Sequence, residues 1–280
     1  MSALNCVDMS RWGGELTAEE AAAMKAAGIA TVIVASGPGG YGLMARQQAE
    51  TTLAAGLRLE AYTYLEFESD PEWWVGEALS RLGGLPVARW WLDVEDTEHG
   101  RAWTPEQRIA YVQRALDAFA ATGVFAHVYS GGWYWRPYMG DTDVFAHQGR
   151  RLWNAWYDGD PDVDGLPYGG WTAADVAIEQ FEGTSLVCGQ SVDKNWLYFT
   201  EEGEDMELRA RVERLERLIG GNGVDDEDGK RLTGEEALAW MDGRGFSLLL
   251  GLANAQKATA GLSSSGGKHE HLATVEVKLH

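Results

Sequence analysis

The sequence predicts an α/β fold over its first 200 residues, either a closed barrel or a doubly wound sheet. Short apolar runs alternate with helical patterns over this stretch, the order that builds parallel strands joined by helices. The apolar runs are continuous rather than alternating, as strands buried on both faces require. Size and composition agree. The 280 residues suffice for one large domain and a small one, and 45% hydrophobic with 24% charged residues is a globular composition.

Taken in order, a first strand is expected around Asn5-Cys6-Val7-Asp8-Met9-Ser10. Further strands are expected at 30–35, 57–65, 88–95, 124–130, 151–157 and 175–181, and a last one at 191–196. Helices are expected at 18–27, 47–55, 71–82 and 105–121. Thr17 followed by Glu20 is a capping box opening the first of them. Gly28, Gly56 and Gly123 stand just past three of the helices, where helices commonly stop. After Gly131 the helical signal weakens, and 158–174 is rich in Gly, Asp and Pro, so the later crossovers are expected to be loops.

Near residue 201 the composition changes, which divides the chain into a domain at 1–200, a helical or coiled-coil linker at 201–222 and a small module at 223–280. Leu208, Val212, Leu215 and Ile219 are spaced four, three and four, the seam of a short coiled coil. They predict a homo-oligomer, or else one amphipathic helix packed on the barrel. The acids Asp225, Asp226, Glu227 and Asp228 lack EF-hand spacing and predict a solvated turn. Thr233 with Glu236 predicts a helix to about 241, a further helix is expected at 248–260, and 274–279 alternates like a strand.

Charge and motif content narrow the function classes. The formal charge is −20, from 23 Lys and Arg against 43 Asp and Glu, with no basic run. Nucleic-acid binding needs a positive face to replace counter-ions, so no nucleic-acid partner is expected. Anionic membrane surfaces are disfavoured on the same ground. No apolar stretch is long enough to span a bilayer, and no conventional signal peptide is expected. Cys6 and Cys188 make neither a disulfide framework nor a metal cluster and are expected to be small buried hydrophobes. His269 and His271 lack a third ligand, and the glycines of 37–42 lack the spacing of a phosphate loop. No metal or cofactor is expected. His127 reads as a core histidine and His99 as a solvated loop residue.

The chemistry concentrates at Trp90-Trp91-Leu92-Asp93-Val94-Glu95-Asp96. Residues two apart on a strand point the same way, so Asp93 and Glu95 share a face at the C-terminal end of their strand. In barrels of parallel strands that end is the active-site face. Glycoside cleavage needs two carboxylates, one protonated to donate to the leaving oxygen and one ionised to oppose positive charge on the sugar. An Asp-x-Glu by itself also fits a strand end dipping into solvent. Asp8 and Asp193 lie on the expected first and last strands, which closure makes neighbours, so both converge on the same floor. Four acids in one cleft cost electrostatic energy, which fits a functional site better than a structural one. Tyr62, Tyr64, Tyr129, Trp156 and Tyr157 supply aromatic faces of the kind on which sugar rings stack.

Several motifs in order resemble glycoside hydrolase family 25, the Chalaropsis-type lysozymes or N-acetylmuramidases that include phage endolysins. They are Val7-Asp8-Met9-Ser10-Arg11-Trp12, Leu92-Asp93-Val94-Glu95, Leu152-Trp153-Asn154-Ala155-Trp156-Tyr157, Gln180-Phe181 and Val192-Asp193-Lys194-Asn195. The resemblance covers about 4–198. It implies a flattened TIM-like (β/α) barrel, with the small C-terminal helical module outside it, and a substrate in bacterial peptidoglycan, cleaved at the β-1,4 bond between N-acetylmuramic acid and N-acetylglucosamine. It implies Glu95 as general acid/base and Asp93 as the carboxylate that orients the substrate's acetamido nucleophile. Asp8 and Asp193 are implied as supporting acids, Tyr129 and Trp156 as lining the sugar site, and no cofactor. With no leader expected, it implies a phage product acting after holin release or on the virion. The chain departs from the family at Tyr62-Thr63-Tyr64, where Tyr-His is common, along 37–48, and at Gln180-Phe181, where Gln-Tyr is common. These departures leave the acids intact and fall on substrate contacts. Two alternatives stay open: a non-catalytic wall-binding or virion module, and a related hydrolase of another amino-sugar polymer.

Overall fold

The computed structural model describes residues 4–198, with the backbone of two short strands at 224–225 and 231–232. Eight strands close a barrel in chain order: β1 (Cys6–Met9), β2 (Thr31–Ala35), β3 (Arg58–Tyr64), β4 (Trp90–Asp93), β5 (His127–Ser130), β6 (Leu152–Ala155), β7 (Val176–Val187) and β8 (Gln190–Leu197). Neighbours from β1 to β7 run parallel, and β8 runs antiparallel to both β7 and β1. The doubly wound alternative is thereby excluded.

Closure through an antiparallel strand follows from chain length. Only Cys188 and Gly189 separate β7 from β8, with φ of 52° and 93°. A parallel return needs a crossover of a dozen residues, whereas two residues with positive φ make a hairpin turn whose twist matches the strands. This corrects the expectation for Cys188, which is half-buried in that turn; Cys6 is fully buried as expected.

The strands alternate between two apolar layers. Cys6, Ile33, Trp91, Tyr129, Trp153 and Ile178 fill the barrel. Val7, Val32, Val34, Leu59, Leu92 and Val128 face outward into the larger core. Covering that layer are α1 (Ala18–Ala26), α2 (Ala45–Ala54), α3 (Pro71–Arg81) and α4 (Pro105–Ala120). Their starts are written locally. Thr17 and Glu20 form the expected capping box. Asp70 caps α3 with Pro71 in its first turn, and Thr104 with Gln107 forms a second box ahead of α4.

The expectation of loops after Gly131 fails in one crossover. Between β5 and β6 lie α5 (Gly132–Met139) and α6 (Val144–His147). The α5 sequence, Gly-Trp-Tyr-Trp-Arg-Pro-Tyr-Met, has weak intrinsic helicity and a proline inside the helix. Packing overrides propensity here. Tyr134, Trp135 and Met139 are buried, and the Trp135 ring meets Trp171 at 4.8 Å and Phe145 at 5.8 Å. The β6–β7 connection does run as a loop, with one 3-10 turn at Ala173–Asp175.

Val224–Asp225 pairs antiparallel with Arg231–Leu232, so the acidic stretch expected as a bare turn begins in a strand. The expected seam at Leu208, Val212, Leu215 and Ile219, the helices after 233 and the strand at 274–279 lie outside the described residues, as do the divisions at 200 and 222. No helix among the described residues is long and apolar enough to cross a membrane.

Candidate active site

Strand register gathers the predicted acids at one mouth. Asp8 sits opposite Asp193 across the β1–β8 pair. Asp93 sits between Tyr64 on β3 and Tyr129 on β5. Gln180 of β7 lies between Ala155 and Asn195. Glu95 follows two residues past Asp93, where β4 has given way to loop. All these positions occupy the C-terminal ends of parallel strands or the matching level of β8.

The acids act on one another. Burial pushes Asp8 well above the usual carboxylate range, and Asp193 and Glu95 push it further, against hydrogen bonds from Asn195 and Gln180. Burial likewise raises Asp93, with Glu95, Asp8 and Asp96 adding to it. Glu95 is pushed up to about 7 by burial and by Asp193, while a hydrogen bond with Tyr129 pulls the other way. Burial raises Asp193 against the backbone N–H of Thr184. Like charges in a desolvated space cannot all ionise, so the cluster retains protons at neutral pH.

Neutral groups hold these carboxylates. Gln180 Nε2 donates to Asp8 Oδ2 at 2.8 Å and to Asp193 Oδ2 at 3.4 Å, and Asn195 Nδ2 donates to Asp8 Oδ2 at 2.7 Å. The two amides are themselves fixed. Gln180 Oε1 accepts from the Tyr129 and Tyr157 hydroxyls, both at 2.7 Å, and Asn195 Oδ1 accepts from Trp153 Nε1 at 2.7 Å. Asp93 differs: its Oδ1 is buried and has no hydrogen-bond partner among the described residues. Beneath the acids, Trp153 meets Tyr129 at 4.7 Å and Tyr62 and Trp91 at 5.8 Å each, an aromatic floor.

The predicted aromatics divide. Tyr62 sits among the acids, all four of which raise its phenol beyond the effect of burial. Tyr64 points the same way along β3 but stacks on Tyr41 at the rim, with ring centroids 5.4 Å apart. Tyr129 is buried within the amide network, whereas Trp156 is 39% exposed just past β6. The Trp156 ring lies over Gly165, where a Cβ would come within 2.5 Å of it.

Sequence reasoning gave no role to three residues. Gln180 and Asn195 were visible only as parts of motifs. Asp96, next to Glu95 in sequence, is fully buried. Its Oδ2 accepts from the Phe67 N–H at 2.9 Å and contacts His99 Nδ1 at 3.0 Å, and its Oδ1 accepts from the N–H groups of Glu98 and His99. Burial would raise Asp96, but these bonds hold it below the usual carboxylate range. It ties the loop carrying Glu95 to the loop after β3. His99 is the solvated loop residue expected, its side chain 39% exposed, and is in addition a partner of Asp96. Desolvation lowers its imidazole, but Asp96, Glu66 and Glu68 outweigh that and raise it. His127 is buried and its Nδ1 accepts the Arg151 N–H, as expected of a core histidine.

A barrel that collects carboxylates of displaced ionisation at its C-terminal mouth, beside stacking aromatics, has the equipment of a glycoside hydrolase. The family model described as "Glycosyl hydrolases family 25" matches residues 7–183, and the chain belongs to that family. A curated relative, "Probable GH family 25 lysozyme 3" of Dictyostelium discoideum, is 31% identical over 173 residues, covering 59% of this chain and 35% of that protein. The match thus spans about a third of the relative's length. Among solved structures, the muramidase of Trichobolus zukalii aligns with a TM-score of 0.60 at 17% identity, covering 75% of this chain and 99% of that one. The catalytic domain of an endolysin from a Listeria monocytogenes bacteriophage aligns at 0.54 and 18% identity, covering 74% and 98%. These two likenesses bear on the fold.

Proposed function

We propose that the protein is a peptidoglycan N-acetylmuramidase, cleaving the β-1,4 bond between N-acetylmuramic acid and N-acetylglucosamine. The observation that carries the reading is the pairing of Glu95, pushed up to about 7, with Asp93, which presents a buried, unpartnered oxygen to the same cleft. Glu95 holds a proton at neutral pH and gives it to the glycosidic oxygen as the C1–O bond breaks. The substrate's acetamido oxygen closes on C1 from the opposite face. Asp93 Oδ1 takes the acetamido N–H and opposes the positive charge that develops on that group. Water then opens the cyclic intermediate while Glu95 takes back a proton, which retains configuration. Asp8 and Asp193, fixed by Gln180 and Asn195, keep the cluster short of full ionisation and so keep Glu95 protonated. Tyr62, Tyr64, Tyr129 and Trp156 present ring faces and hydroxyls to the sugars. A bacteriophage setting, with action at the wall after holin release or from the virion, belongs to the same proposal and is supported by the likeness to the phage endolysin domain.

The test is mass spectrometry of fragments released from purified peptidoglycan by the wild type and by Glu95→Gln. Loss of a general acid costs about 10²–10⁴ in rate. The reading expects muramic acid at the reducing end of the wild-type products, and release by Glu95→Gln slowed by that factor. Fragments ending in N-acetylglucosamine would assign a different bond. Wall binding without release by the wild type would make the protein a binding module.

A further inference from the structure

Every described lysine and arginine except one engages a hydrogen bond or ion pair through its side chain. The exception is Arg11, whose guanidinium has neither among the described residues. This occurs in a chain with 43 acidic and 23 basic residues, where an acidic partner is the easiest kind to find. Nor is Arg11 among the groups that set the ionisation of Asp8, Asp93, Glu95 or Asp193. It is not their counter-ion.

Arg11 is nevertheless held in place. Its guanidinium carbon lies 4.3 Å from the Trp12 ring centre and 5.9 Å from that of Tyr41. It rests against bare backbone at Gly40, where a Cβ would meet Nη1 at 1.9 Å. Stacking of this kind fixes the plane of the fork and leaves its N–H edge free. Trp12 is 79% exposed and Tyr41 38%, so the walls of the recess are open to solvent. The 3-10 turn Arg11–Gly13 leaves β1 just past Asp8, and Tyr41 lies in the β2–α2 loop. Tyr41 stacks on Tyr64, whose strand neighbour is Asp93. Ring contacts therefore lead from Arg11 through Tyr41 to Tyr64, on the strand beside Asp93.

We propose that Arg11, framed by Trp12 and Tyr41 against Gly40, is a rim subsite that binds a carboxylate of the peptide carried by muramic acid in the wall glycan. The inference rests on the muramidase reading and adds what the enzyme recognises besides sugar. A planar guanidinium takes a carboxylate through two parallel N–H···O bonds, and the flanking rings cover the apolar edge of the peptide or sugar. A protein of charge −20 repels an anionic polymer, so a free cation at the cleft edge supplies local attraction.

The experiment compares wild type, Arg11→Gln and Arg11→Lys on peptidoglycan freed of accessory polymers, in native form and with its peptide carboxylates amidated. A third arm uses glycan strands stripped of peptide, which expose the lactyl carboxylate instead. Cleavage kinetics are read alongside co-sedimentation of the same variants in a Glu95→Gln background. On native wall, Arg11→Gln is expected to raise KM and the binding constant about three- to tenfold, with kcat kept and Arg11→Lys in between. On amidated wall the three proteins should converge. Equal KM and binding on native wall would overturn the proposal, and so would a gap that persists after amidation. A gap confined to stripped strands would assign the lactyl carboxylate and overturn the peptide assignment. Absence of cleavage by the wild type would overturn the muramidase reading, while co-sedimentation would still decide Arg11.

Discussion

The barrel buries carboxylates at both ends and treats them in opposite ways. Toward the N-terminal end of β3, Glu60 is fully buried and fully matched. Arg58 Nε lies at 3.2 Å, Arg89 Nη1 at 3.8 Å, and Trp91 Nε1 donates at 2.7 Å. At the C-terminal mouth Asp8, Asp93, Glu95 and Asp193 share one desolvated space, and amides and phenols hold them in place of cations. Burying a charge is tolerable when a partner and hydrogen bonds meet it, and costly when like charges surround it. The matched end contributes to folding, and the unmatched end carries a strain that only function explains. Glu179 warns against reading burial alone. Also buried, it is pushed up to about 9 by desolvation first and then by Asp158 and Asp164. Yet it projects outward from β7 and binds Asn154 Nδ2 through both oxygens, at 2.9 Å each. Convergence on the mouth marks the site, not displaced ionisation alone.

Breaking the matched end should have the largest effect on stability. Glu60→Gln leaves Arg89, 7% exposed, without its full counter-charge. Removing one partner of a buried pair costs about 3–5 kcal/mol, so the melting temperature should fall by about 6–20 °C for a domain of this size. Activity per folded molecule should persist. Calorimetry with a wall-release assay checks both, and an unchanged melting temperature would mean that Glu60 is not the matched acid described. Asp96→Asn comes next. It removes the charge that accepts three backbone N–H groups and the His99 contact. Hydrogen bonds to a charged group contribute about 1.5–3 kcal/mol, and the loop bearing Glu95 loosens, so kcat should drop while KM stays. The stability that Asp96 confers has a definite sign with pH. Its folded value lies below its unfolded one, so that stability is present above about pH 4 and is lost as pH falls through the depressed folded value. A KM effect with intact kcat would remove Asp96 from the positioning of Glu95.

The two ends were not equally legible in the sequence. The eight strands and the first four helices follow from apolar runs and from local signals such as Thr17 with Glu20. The acids were legible because a two-residue spacing on a strand already fixes a shared face. Asp8 and Asp193 needed only closure of the barrel to become neighbours. Helix α5 was not legible, since Gly132 and Pro137 argue against it and its support comes from Trp171, distant in sequence. The hairpin at Cys188-Gly189 was hidden because positive φ at a cysteine leaves no mark in residue type. The roles of Gln180, Asn195 and Asp96 depend on which way a polar side chain turns, which burial and register decide and composition does not.

Relieving the unmatched end should act in the opposite direction and more weakly. Asp8→Asn keeps the shape of a group bonded to Gln180 and Asn195 while removing one charge from the cluster. Stability should rise by about 1 kcal/mol, with activity lost, the exchange seen when a strained site is neutralised. The pH dependence follows the same logic. The folded values of all four acids are raised, so the folded state holds more protons than the unfolded chain above about pH 4. The cluster's contribution is then greatest below that pH and declines as pH rises, for Glu95 through about 7. Asp8→Asn should flatten this decline, and kcat/KM of the wild type should fall above about pH 7 as Glu95 loses its proton. If Asp8→Asn lowers stability as Glu60→Gln does, the amides at the mouth fully offset the repulsion among the acids, and the two ends of the barrel differ in chemistry but not in strain.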